Sequence, residues 1–511
     1  MDLCNHVGAG KAAVILHPSG RSVTFKALDE SANRLANYLR RRGIDSGDTI
    51  AVLMENNEHI HAVMWAARRS GLYFTLVNTH LTASEAAYVV NDSGAKAIIS
   101  SRAMADVCVE MVRHLPHGLP SVALVANGDM TGWQNYPECA EGESIQFTPD
   151  ESEGQLLQYS AGSTGRPKGI RRPRISGSAG RSSLPTPVFE ALGVARDSVY
   201  LSPAPTYHTA PAMWTMSAQA VGATTVMMER FDALQALRCI ERYGVTHAQF
   251  VPTMFVRMLR LSRREKQQFD LSSLRRVIHA AAPCPPAIKH QMIEWWGPII
   301  DEYYGSSEGA GISLISAEEW LRRPGSVGKP ILGQPHILDE NLKELPPRQI
   351  GDVYFDGGYS FEYLNDAEKT AGSRSPQGWV TVGDIGFVDE EGYLFLTDRR
   401  HNMIISGGVN VYPQEVENVL ISHPLVADVA VFGVHDDDLG QSVIAVVELA
   451  QPALASEATN AELMSWASYR LARHKRPRSI VFTENMPRTD AGKLYKDRLI
   501  LEYMASGESC R

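Results

Sequence analysis

Helix and strand signals alternate along the first hundred residues. Apolar residues recur at helical spacing between Leu28 and Leu39, and Gly43 follows as a helix stop. Short buried strands are predicted over 49–54, 73–77 and 95–100, with a helix over 59–69 between the first two. Thr82 and Glu85 have the spacing of a capping box and predict the start of another helix. This alternation predicts a largely parallel sheet flanked by helices.

The same order of elements resumes further along the chain, with strands predicted over 224–228 and 247–251 and a helix over 233–243. The character changes near residue 398, where a strand-like run is followed by the polar, charged segment 398–402. The later elements are helices over 413–420 and 461–473 and strands over 426–434, 442–449 and 480–483. The sequence therefore predicts an α/β protein with a large N-terminal domain and a small α+β C-terminal domain.

Composition excludes several classes of protein. The net charge of −9 argues against a nucleic-acid partner. The six cysteines are scattered without a Cys-x-x-Cys pair, which fits a reducing compartment and offers no zinc site. The N-terminus lacks the basic-then-apolar order of a signal peptide, and no apolar run of 18 residues predicts a transmembrane segment. We therefore expect a cytoplasmic protein; the oligomeric state stays open, a homodimer included.

The segment 159–170, Tyr-Ser-Ala-Gly-Ser-Thr-Gly-Arg-Pro-Lys-Gly-Ile, combines glycines, hydroxyls and cations. Its glycines allow several backbone N–H groups to face one anion, Ser163 and Thr164 add hydroxyl donors, and Lys168 adds charge. A Gly/Ser linker is the alternative. Apolar residues before the glycines and the ordered Arg-Pro-Lys-Gly after them favour a polyphosphate-binding loop.

This loop is neither a Walker A loop nor a kinase glycine loop, because the spacing of glycine and lysine fits neither. It resembles the signature loop of the adenylate-forming superfamily, which includes acyl-CoA synthetases, luciferases and peptide-synthetase adenylation domains. Further motifs extend the resemblance over nearly the whole chain, in the expected order. The resemblance implies a large domain over 1–398, a hinge over 399–402 and a small mobile domain over 403–511.

Tyr303–Glu308 follows an apolar segment, and a carboxylate in such a place can hold Mg²⁺ together with phosphate and water. The segment resembles the family's Tyr-Gly-x-Thr-Glu motif. By that resemblance Tyr304 stacks on adenine, Ser307 contacts the α-phosphate and Glu308 binds magnesium. Serine replaces the usual threonine at 307 and keeps the hydroxyl.

Val382–Asp384 resembles the family's Thr-Gly-Asp, so Asp384 is expected to bind the ribose hydroxyls although valine replaces threonine. Arg399 is implied as a second ribose contact. His401 lies at the implied pivot of the hinge, where relatives more often carry Asp or Lys. A histidine there would make domain rotation sensitive to pH. A solvent-exposed loop histidine without such a role is the alternative.

Pro487–Lys493 resembles the family's Pro-Arg-Thr-x-x-Gly-Lys motif. By that resemblance Lys493 bridges the substrate carboxylate and the α-phosphate and stabilises the charge of the transition state. An ordinary surface lysine is the alternative for any Lys taken alone.

The resemblance assigns the remaining site residues by motif. The expected ATP-binding set is Ser160, Gly162, Ser163, Thr164, Gly165, Lys168, Ala281, Ala282, Tyr304, Gly305, Ser307, Asp384, Arg399 and Lys493. Lys493, Thr164 and Glu308 are the expected catalytic residues, and Thr164 and Glu308 the expected magnesium ligands. The expected acid pocket contains His208, Phe250, Gly309, Ala310 and Gly311, and the expected CoA contacts are Gly407, Gly408, His474, Arg476 and Arg478.

The small residues 309–311 would leave room for a bulky or extended hydrophobic acid: a long-chain, polycyclic or aryl acid. The alternative, that the glycines only permit a turn, stays open. An amino-acid substrate is disfavoured, because segment 207–211 has no Asp to meet an ammonium group. Leu439 stands where many relatives place a tryptophan against CoA, which weakens the case for CoA as acceptor.

The resemblance implies an AMP-forming acyl-CoA ligase that uses ATP, Mg²⁺ and CoA. An adenylating enzyme that passes its acyl group to a carrier protein or partner enzyme is the close alternative. A non-catalytic nucleotide-binding protein is a third, although it would have no reason to retain Lys493.

Overall fold

The computed structural model describes residues 7–146, 153–160, 167–174, 184–488 and 494–505. Its strands in chain order are β1 Ala12–His17, β2 Ser22–Thr24, β3 Thr49–Leu53, β4 Tyr73–Leu76, β5 Ala95–Ser101, β6 Val122–Ala126, β7 Gln134–Tyr136, β8 Gln155–Leu156, β9 Gln158–Ser160, β10 Lys168–Arg171, β11 Val199–Ser202, β12 Thr224–Met228, β13 His247–Phe250, β14 Arg276–His279, β15 Ile300–Gly305, β16 Ile312–Ile315, β17 Ser326–Leu332, β18 Gln334–Leu338, β19 Gly351–Asp356, β20 Glu362–Tyr363, β21 Val380–Val388, β22 Leu394–Arg399, β23 Ile404–Ser406, β24 Val409–Val411, β25 Val426–Asp436, β26 Gly440–Leu449 and β27 Ser479–Thr483.

The helices in chain order are α1 Phe25–Arg41, α2 Ile60–Arg69, α3 Ala83–Asp92, α4 Ala105–Val112, α5 Thr186–Ala191, α6 Thr209–Ala220, α7 Ala233–Tyr243, α8 Pro252–Leu259, α9 Arg263–Lys266, α10 Pro286–Trp296, α11 Ala317–Arg322, α12 Ala367–Gly372, α13 Pro413–Ile421, α14 Glu457–Arg470 and α15 Lys496–Ala505. Within the described ranges, no helix is both long enough and apolar enough to span a membrane.

Two sheets with helices between and outside them form the large N-terminal part. The first has the order β7-β6-β5-β3-β4-β8, and all its strands are parallel. The second has the order β18-β19-β21-β22-β17-β16-β15-β14-β13-β11-β12-β1-β2. In it, the strands from β15 to β1 are parallel, whereas those from β18 to β16 are antiparallel.

Helices α1 and α2 lie between the two sheets, because their apolar residues share one core with β1, β12 and the inner face of the first sheet. Helices α3 and α4 cover the outer face of the first sheet, and α7, α8 and α10 cover the outer face of the second. The predicted α/β class is confirmed: the first sheet is wholly parallel, and the second combines a parallel region with an antiparallel one.

The C-terminal part has its own sheet and core. Strands β24, β23, β26 and β25 are antiparallel neighbours, and β27 runs parallel to β26. Helices α13 and α14 pack against this sheet around one apolar cluster. A third small sheet, β20-β10-β9, belongs to the N-terminal part and is antiparallel.

Local capping explains where several helices begin. The predicted capping box is present: Thr82 Oγ1 accepts the Glu85 N–H, and Glu85 accepts the Thr82 N–H at 2.8 Å. The helix predicted over 461–473 begins four residues earlier in the structure, at Glu457, and ends at Arg470. Ser456 caps α14 by accepting the Thr459 N–H at 3.2 Å, and Leu471 is extended and ends it.

A buried charged cluster lies beneath the carboxyl ends of β14 and β15. The Lys289 ammonium of α10 donates to Glu302 at 2.7 Å, and His279 Nε2 lies 3.2 Å from the same Glu302 oxygen. Lys289 and His279 have side-chain exposures of 0%, and Glu302 has 9%. Burial alone would raise the pKa of Glu302, but His279 and Lys289 lower it to about 2.

We expect Lys289→Met to destabilise the protein by about 3–5 kcal/mol, since it leaves the Glu302 carboxylate buried without its cation. The double variant Lys289→Met/Glu302→Gln removes both charges and should recover part of that loss. Denaturant unfolding of the three proteins measures the difference. A double variant less stable than Lys289→Met would contradict this account.

Candidate active site

The site is built at the carboxyl ends of the parallel strands of the large sheet. Residues after β14 form a turn in which Ala281 has φ of 75°, a left-handed conformation that L side chains rarely adopt. The neighbouring strand β15 ends at Gly305, and the segment that follows carries Ser307 and Glu308. Loops at this edge of an α/β sheet are where ligands bind in such folds.

Tyr304, Asp384 and Arg399 meet although they are far apart in the chain. The Tyr304 hydroxyl donates to Asp384 Oδ2 at 2.6 Å, and Arg399 Nε donates to Asp384 Oδ1 at 3.2 Å. Strands β21 and β22 set this contact, because Asp384 and Arg399 are register partners. Burial and the Asp384 charge raise the pKa of Tyr304 well above its ordinary value, so the phenol keeps its proton.

Glu308 is oriented by a tyrosine that sequence reasoning did not identify. The Tyr363 hydroxyl of β20 donates to Glu308 Oε1 at 2.9 Å. Burial and the nearby Glu308 charge raise the pKa of Tyr363, so this phenol is also protonated. Its neighbours in the sequence give no motif; β20 reaches the site only because it pairs with β10.

The donor set around Glu308 fits magnesium better than a metal held by protein alone. Among residues 7–146, 153–160, 167–174, 184–488 and 494–505, no group of three or more His, Cys, Asp and Glu side chains could hold a metal ion. A single carboxylate suits Mg²⁺, which takes most of its ligands from water and substrate phosphates. The other predicted ligand, Thr164, lies outside the described residues.

Lys168 begins β10, opposite Ser160 of β9. Its ammonium donates to Asp366 Oδ2 at 2.9 Å, and Asp366 caps α12. Ser160 and Lys168, both predicted to bind phosphate, therefore lie on either side of the segment 161–166. That segment, with the predicted residues Gly162, Ser163 and Gly165, lies outside the described residues, as does Lys493 near the C-terminus.

Ser307 is held close to His208. The Ser307 and Thr209 hydroxyls are 3.1 Å apart, and His208 is the residue immediately before Thr209 at the start of α6. Arg172 donates to the Ser307 carbonyl at 2.6 Å. Arg174, two residues further on, likewise donates to a backbone carbonyl, that of Gly71, at 3.0 Å. Arg172 and Arg174, which follow the glycine loop, therefore both hold neighbouring backbone in place.

The small residues after Glu308 are closely packed by protein. A Cβ added at Gly309 would lie 2.7 Å from the Arg172 guanidinium, and one at Gly311 would lie 2.1 Å from the Phe355 ring. Phe355 in turn stacks on Tyr304, with the ring centroids 6.0 Å apart, and Ala310 is buried in the same apolar cluster. The space beside Gly311 is occupied by Phe355, which supports the interpretation that these residues allow a turn and close packing.

Phe250 and Gln249 point to opposite faces of β13, since successive strand residues alternate. Phe250 packs on Phe255 at 5.9 Å in the core beneath α8 and α10, on the face opposite to α6. Gln249 faces the α6 side, where it donates to the Tyr303 hydroxyl at 3.0 Å. The structure therefore brings Gln249, and not Phe250, to the face that carries His208.

A buried aromatic cluster packs on that face. Tyr303 stacks on Trp214 of α6 with ring centroids 5.1 Å apart, and Trp214 contacts Phe189 of α5 at 4.6 Å. Sequence reasoning did not identify Trp214 and Phe189, because neither lies in a recognised motif, whereas Tyr303 begins the predicted segment Tyr303–Glu308.

The residues expected to contact CoA lie in the C-terminal part. Gly407 and Gly408 form the turn between β23 and β24 with φ of 58° and 78°, and the Gly407 N–H donates to the Leu439 carbonyl at 2.8 Å. His474, Arg476 and Arg478 are exposed. Arg478 also lies 3.8 Å from Asp436, and Arg476 donates to the Leu471 carbonyl at 3.0 Å.

The two parts of the chain meet at Asp398. Its Oδ2 accepts the Gln414 N–H at the start of α13, and its Oδ1 accepts the Asn402 amide, each at 3.0 Å. His401 is exposed in the short helical turn Arg400–Asn402 between these contacts.

The sequence matches the family described as "AMP-binding enzyme" over residues 4–362 and its C-terminal domain over residues 415–493. The chain belongs to the AMP-binding enzyme family. Among its relatives, the "Fatty acid--[acyl-carrier-protein] ligase ScoC" of Streptomyces coeruleorubidus is 29% identical, and the alignment covers 94% of this chain and 91% of that protein. The "Long-chain-fatty-acid--CoA ligase FadD13" of Mycobacterium tuberculosis is also 29% identical, with coverage of 95% and 94%.

A solved structure of the anthranilate CoA ligase AuaEII in complex with anthranoyl-AMP superposes on this AMP-binding enzyme with a TM-score of 0.86. The two chains are 26% identical, and the match covers 98% of this chain and 96% of that one. The family match and the ligases named above identify the protein as an AMP-forming ligase that uses ATP.

We expect Asp384→Asn to raise the KM for ATP by about tenfold or more, because the charge-assisted hydrogen bond from Arg399 is weakened. Tyr304→Phe removes only the neutral donor and serves as the matched control, with a smaller expected effect. Steady-state kinetics with ATP varied measures both. Equal KM values for Asp384→Asn and the wild type would contradict the assignment of Asp384 to the ATP site.

Gly311→Ala distinguishes the two interpretations of the small residues. If Phe355 fills the space, the added methyl overpacks it and destabilises the protein by about 1–3 kcal/mol. Phe355→Leu in the same chain should recover part of the loss. A Gly311→Ala variant that keeps wild-type stability but prefers shorter acids would instead indicate an open acid pocket.

Proposed function

We propose that the protein is an AMP-forming acyl-CoA ligase that activates a bulky or long hydrophobic carboxylic acid. The contacts that join Tyr304, Asp384 and Arg399 at one edge of the sheet carry this proposal, since they supply a carboxylate and a cation beside an aromatic ring. Such a set suits a nucleoside. Asp384 would accept the ribose hydroxyls, and Tyr304 would lie against adenine.

The phosphates of ATP would extend from this nucleoside site toward Lys168 and the glycine loop. Ser307 and Thr164 would donate hydroxyl hydrogen bonds to phosphate, and Lys168 would exchange its contact with Asp366 for a phosphate oxygen. Magnesium, held by Glu308 and Thr164, would neutralise phosphate charge.

In the first half-reaction a carboxylate oxygen of the acid attacks the α-phosphorus, and the bond from that phosphorus to pyrophosphate breaks. The product is an acyl-adenylate. Lys493, by the family resemblance, bridges the carboxylate and the α-phosphate, so that its charge offsets the negative charge that accumulates in the transition state.

In the second half-reaction a thiol attacks the carbonyl of the acyl-adenylate. A carbon–sulfur bond forms, the bond to the phosphate oxygen breaks, AMP leaves and the thiol proton is released. We propose that residues 403–511 rotate about a hinge at 399–402 between the two steps, which removes Lys493 and admits the thiol. Asp398, which contacts both Asn402 and Gln414, lies immediately before that hinge.

The names of two relatives support an apolar acid: FadD13 is named as a long-chain-fatty-acid ligase and AuaEII as an anthranilate ligase. Trp214 and Phe189 are buried in a core cluster together with Tyr303, so they would support the site from behind rather than contact the acid.

CoA is the proposed acceptor, because FadD13 and AuaEII are named as CoA ligases. A carrier protein is the alternative, since ScoC is named as a ligase to an acyl carrier protein. The exposed arginines Arg476 and Arg478 suit the phosphates of CoA and the acidic surface of a carrier equally well.

Acid-dependent exchange of pyrophosphate into ATP, assayed across fatty, aryl and polycyclic acids, tests the first half-reaction. Repeating the assay with CoA and with a carrier protein identifies the acceptor by its thioester. An absence of exchange with every acid would refute the proposal; adenylate without thioester to CoA would favour the alternative.

We expect Lys493→Ala to slow acyl-adenylate formation by about 100-fold or more, as the loss of one charge-stabilising group does in other active sites. Thioester formation from added acyl-adenylate should change little, since Lys493 acts only in the first step. Lys343→Ala, at an exposed position of the N-terminal part, is the control and should behave as wild type. Equal adenylation rates for Lys493→Ala and Lys343→Ala would exclude the assigned role.

A further inference from the structure

Lys369 lies in the site although no motif identifies it. It belongs to α12, and its ammonium is 4.1 Å from the centroid of the Tyr363 ring. The hydroxyl of the same Tyr363 donates to Glu308 at 2.9 Å. Tyr363 therefore connects Lys369 to the carboxylate expected to bind magnesium.

Asp366 connects Lys369 to the lysine of the glycine loop. Asp366 Oδ2 accepts the Lys168 ammonium at 2.9 Å, and Asp366 Oδ1 accepts the backbone N–H of Lys369 at 3.0 Å. The two lysines come from different elements. Lys168 lies on β10, whereas Lys369 lies on α12, which follows β20, the strand that pairs with β10.

The charges in this cluster leave Lys369 without a carboxylate of its own. Asp366 is paired with Lys168, whereas the described part of the chain contains no salt bridge to Lys369 within 4.0 Å. Burial and the Lys168 charge lower the pKa of Lys369, while Glu308 and Asp366 raise it. A half-buried ammonium beside a second ammonium is stabilised when an anion binds between them.

We propose that Lys369 is a second phosphate-binding lysine, which contacts the β- and γ-phosphates of MgATP and then the departing pyrophosphate. This inference rests on the proposed function, in which ATP is cleaved between its α- and β-phosphates. When the phosphorus–oxygen bond to pyrophosphate breaks, negative charge grows on the leaving group. Lys168 and Lys369 together neutralise that charge, while Tyr363 keeps Lys369 and Glu308 in fixed relation.

Direct binding of MgATP, magnesium pyrophosphate and AMP to the full-length protein tests the inference by calorimetry. Lys369→Met should weaken MgATP and pyrophosphate about tenfold to a hundredfold, the range expected for one hydrogen bond to a charged group. AMP, which has no β- or γ-phosphate, should bind within about twofold of wild type. Lys369→Arg keeps the charge and should retain most of the affinity.

Lys26→Met, at a lysine whose side chain is 63% exposed on α1, is the matched control and should bind all three ligands as wild type does. The melting temperatures of the variants establish that each is folded, and Lys369→Gln replaces Lys369→Met if the latter is not. Wild-type binding of MgATP by Lys369→Met would overturn the inference. A parallel loss of AMP affinity would also overturn it, because that outcome indicates a structural role through Tyr363.

Failure of the inference is distinguishable from failure of the proposed function. A wild-type protein that binds MgATP but exchanges no pyrophosphate with any acid refutes adenylation, and the comparison of Lys369→Met with Lys26→Met still decides the role of Lys369. A wild-type protein that binds no MgATP overturns both. Exchange by the wild type with unchanged MgATP binding in Lys369→Met overturns only the role of Lys369.

Discussion

The candidate active site depends on one buried carboxylate. Asp384 is 6% exposed and accepts hydrogen bonds from Tyr304 and Arg399 at the same time. Tyr304 is the penultimate residue of β15, at the boundary of the parallel region, while Asp384 and Arg399 lie on antiparallel strands of the same sheet. A buried carboxylate is stable only when its oxygens are paired, so this contact holds the two regions of the sheet in the geometry that a nucleoside would require.

A second set of contacts places the groups proposed for phosphate and magnesium. Strand β20 pairs with β10, and this pairing brings Tyr363 to Glu308 and Asp366 to Lys168. Three charged side chains, Glu308, Asp366 and Lys168, and the Tyr363 phenol thus meet beside these two short strands. Their elements are separated in the sequence, so the cluster requires that β10, β20, α12 and the segment after β15 are assembled.

Local signals predicted the elements that local chemistry determines. The capping box at Thr82 and the helix over 233–243, which Asp232 caps at its N-terminus, match the structure because caps and apolar periodicity act within a few residues. Of the antiparallel region between residues 326 and 399, only the strand-like run before residue 398 was predicted, as β22; the other strands were not, although β18 and β19, like β21 and β22, are neighbours in the sequence. The acid pocket illustrates the same limit: a shift of one residue along β13 separates Gln249, beside Tyr303, from Phe250 in the core.

The sequence by itself determined the family, the order of the motifs and the chemistry available at each one, because a glycine loop, a Tyr-Gly-Ser-Ser-Glu segment and a Val-Gly-Asp segment carry their functional groups within a few adjacent positions. Only the tertiary structure decided which other residues join them. Tyr363, Lys369 and Phe355 reach the site through strand pairing and ring packing across long sequence separations. Such contacts depend on which distant strands pair and which side chains they bring together, and a pattern within a few adjacent residues does not specify a distant partner.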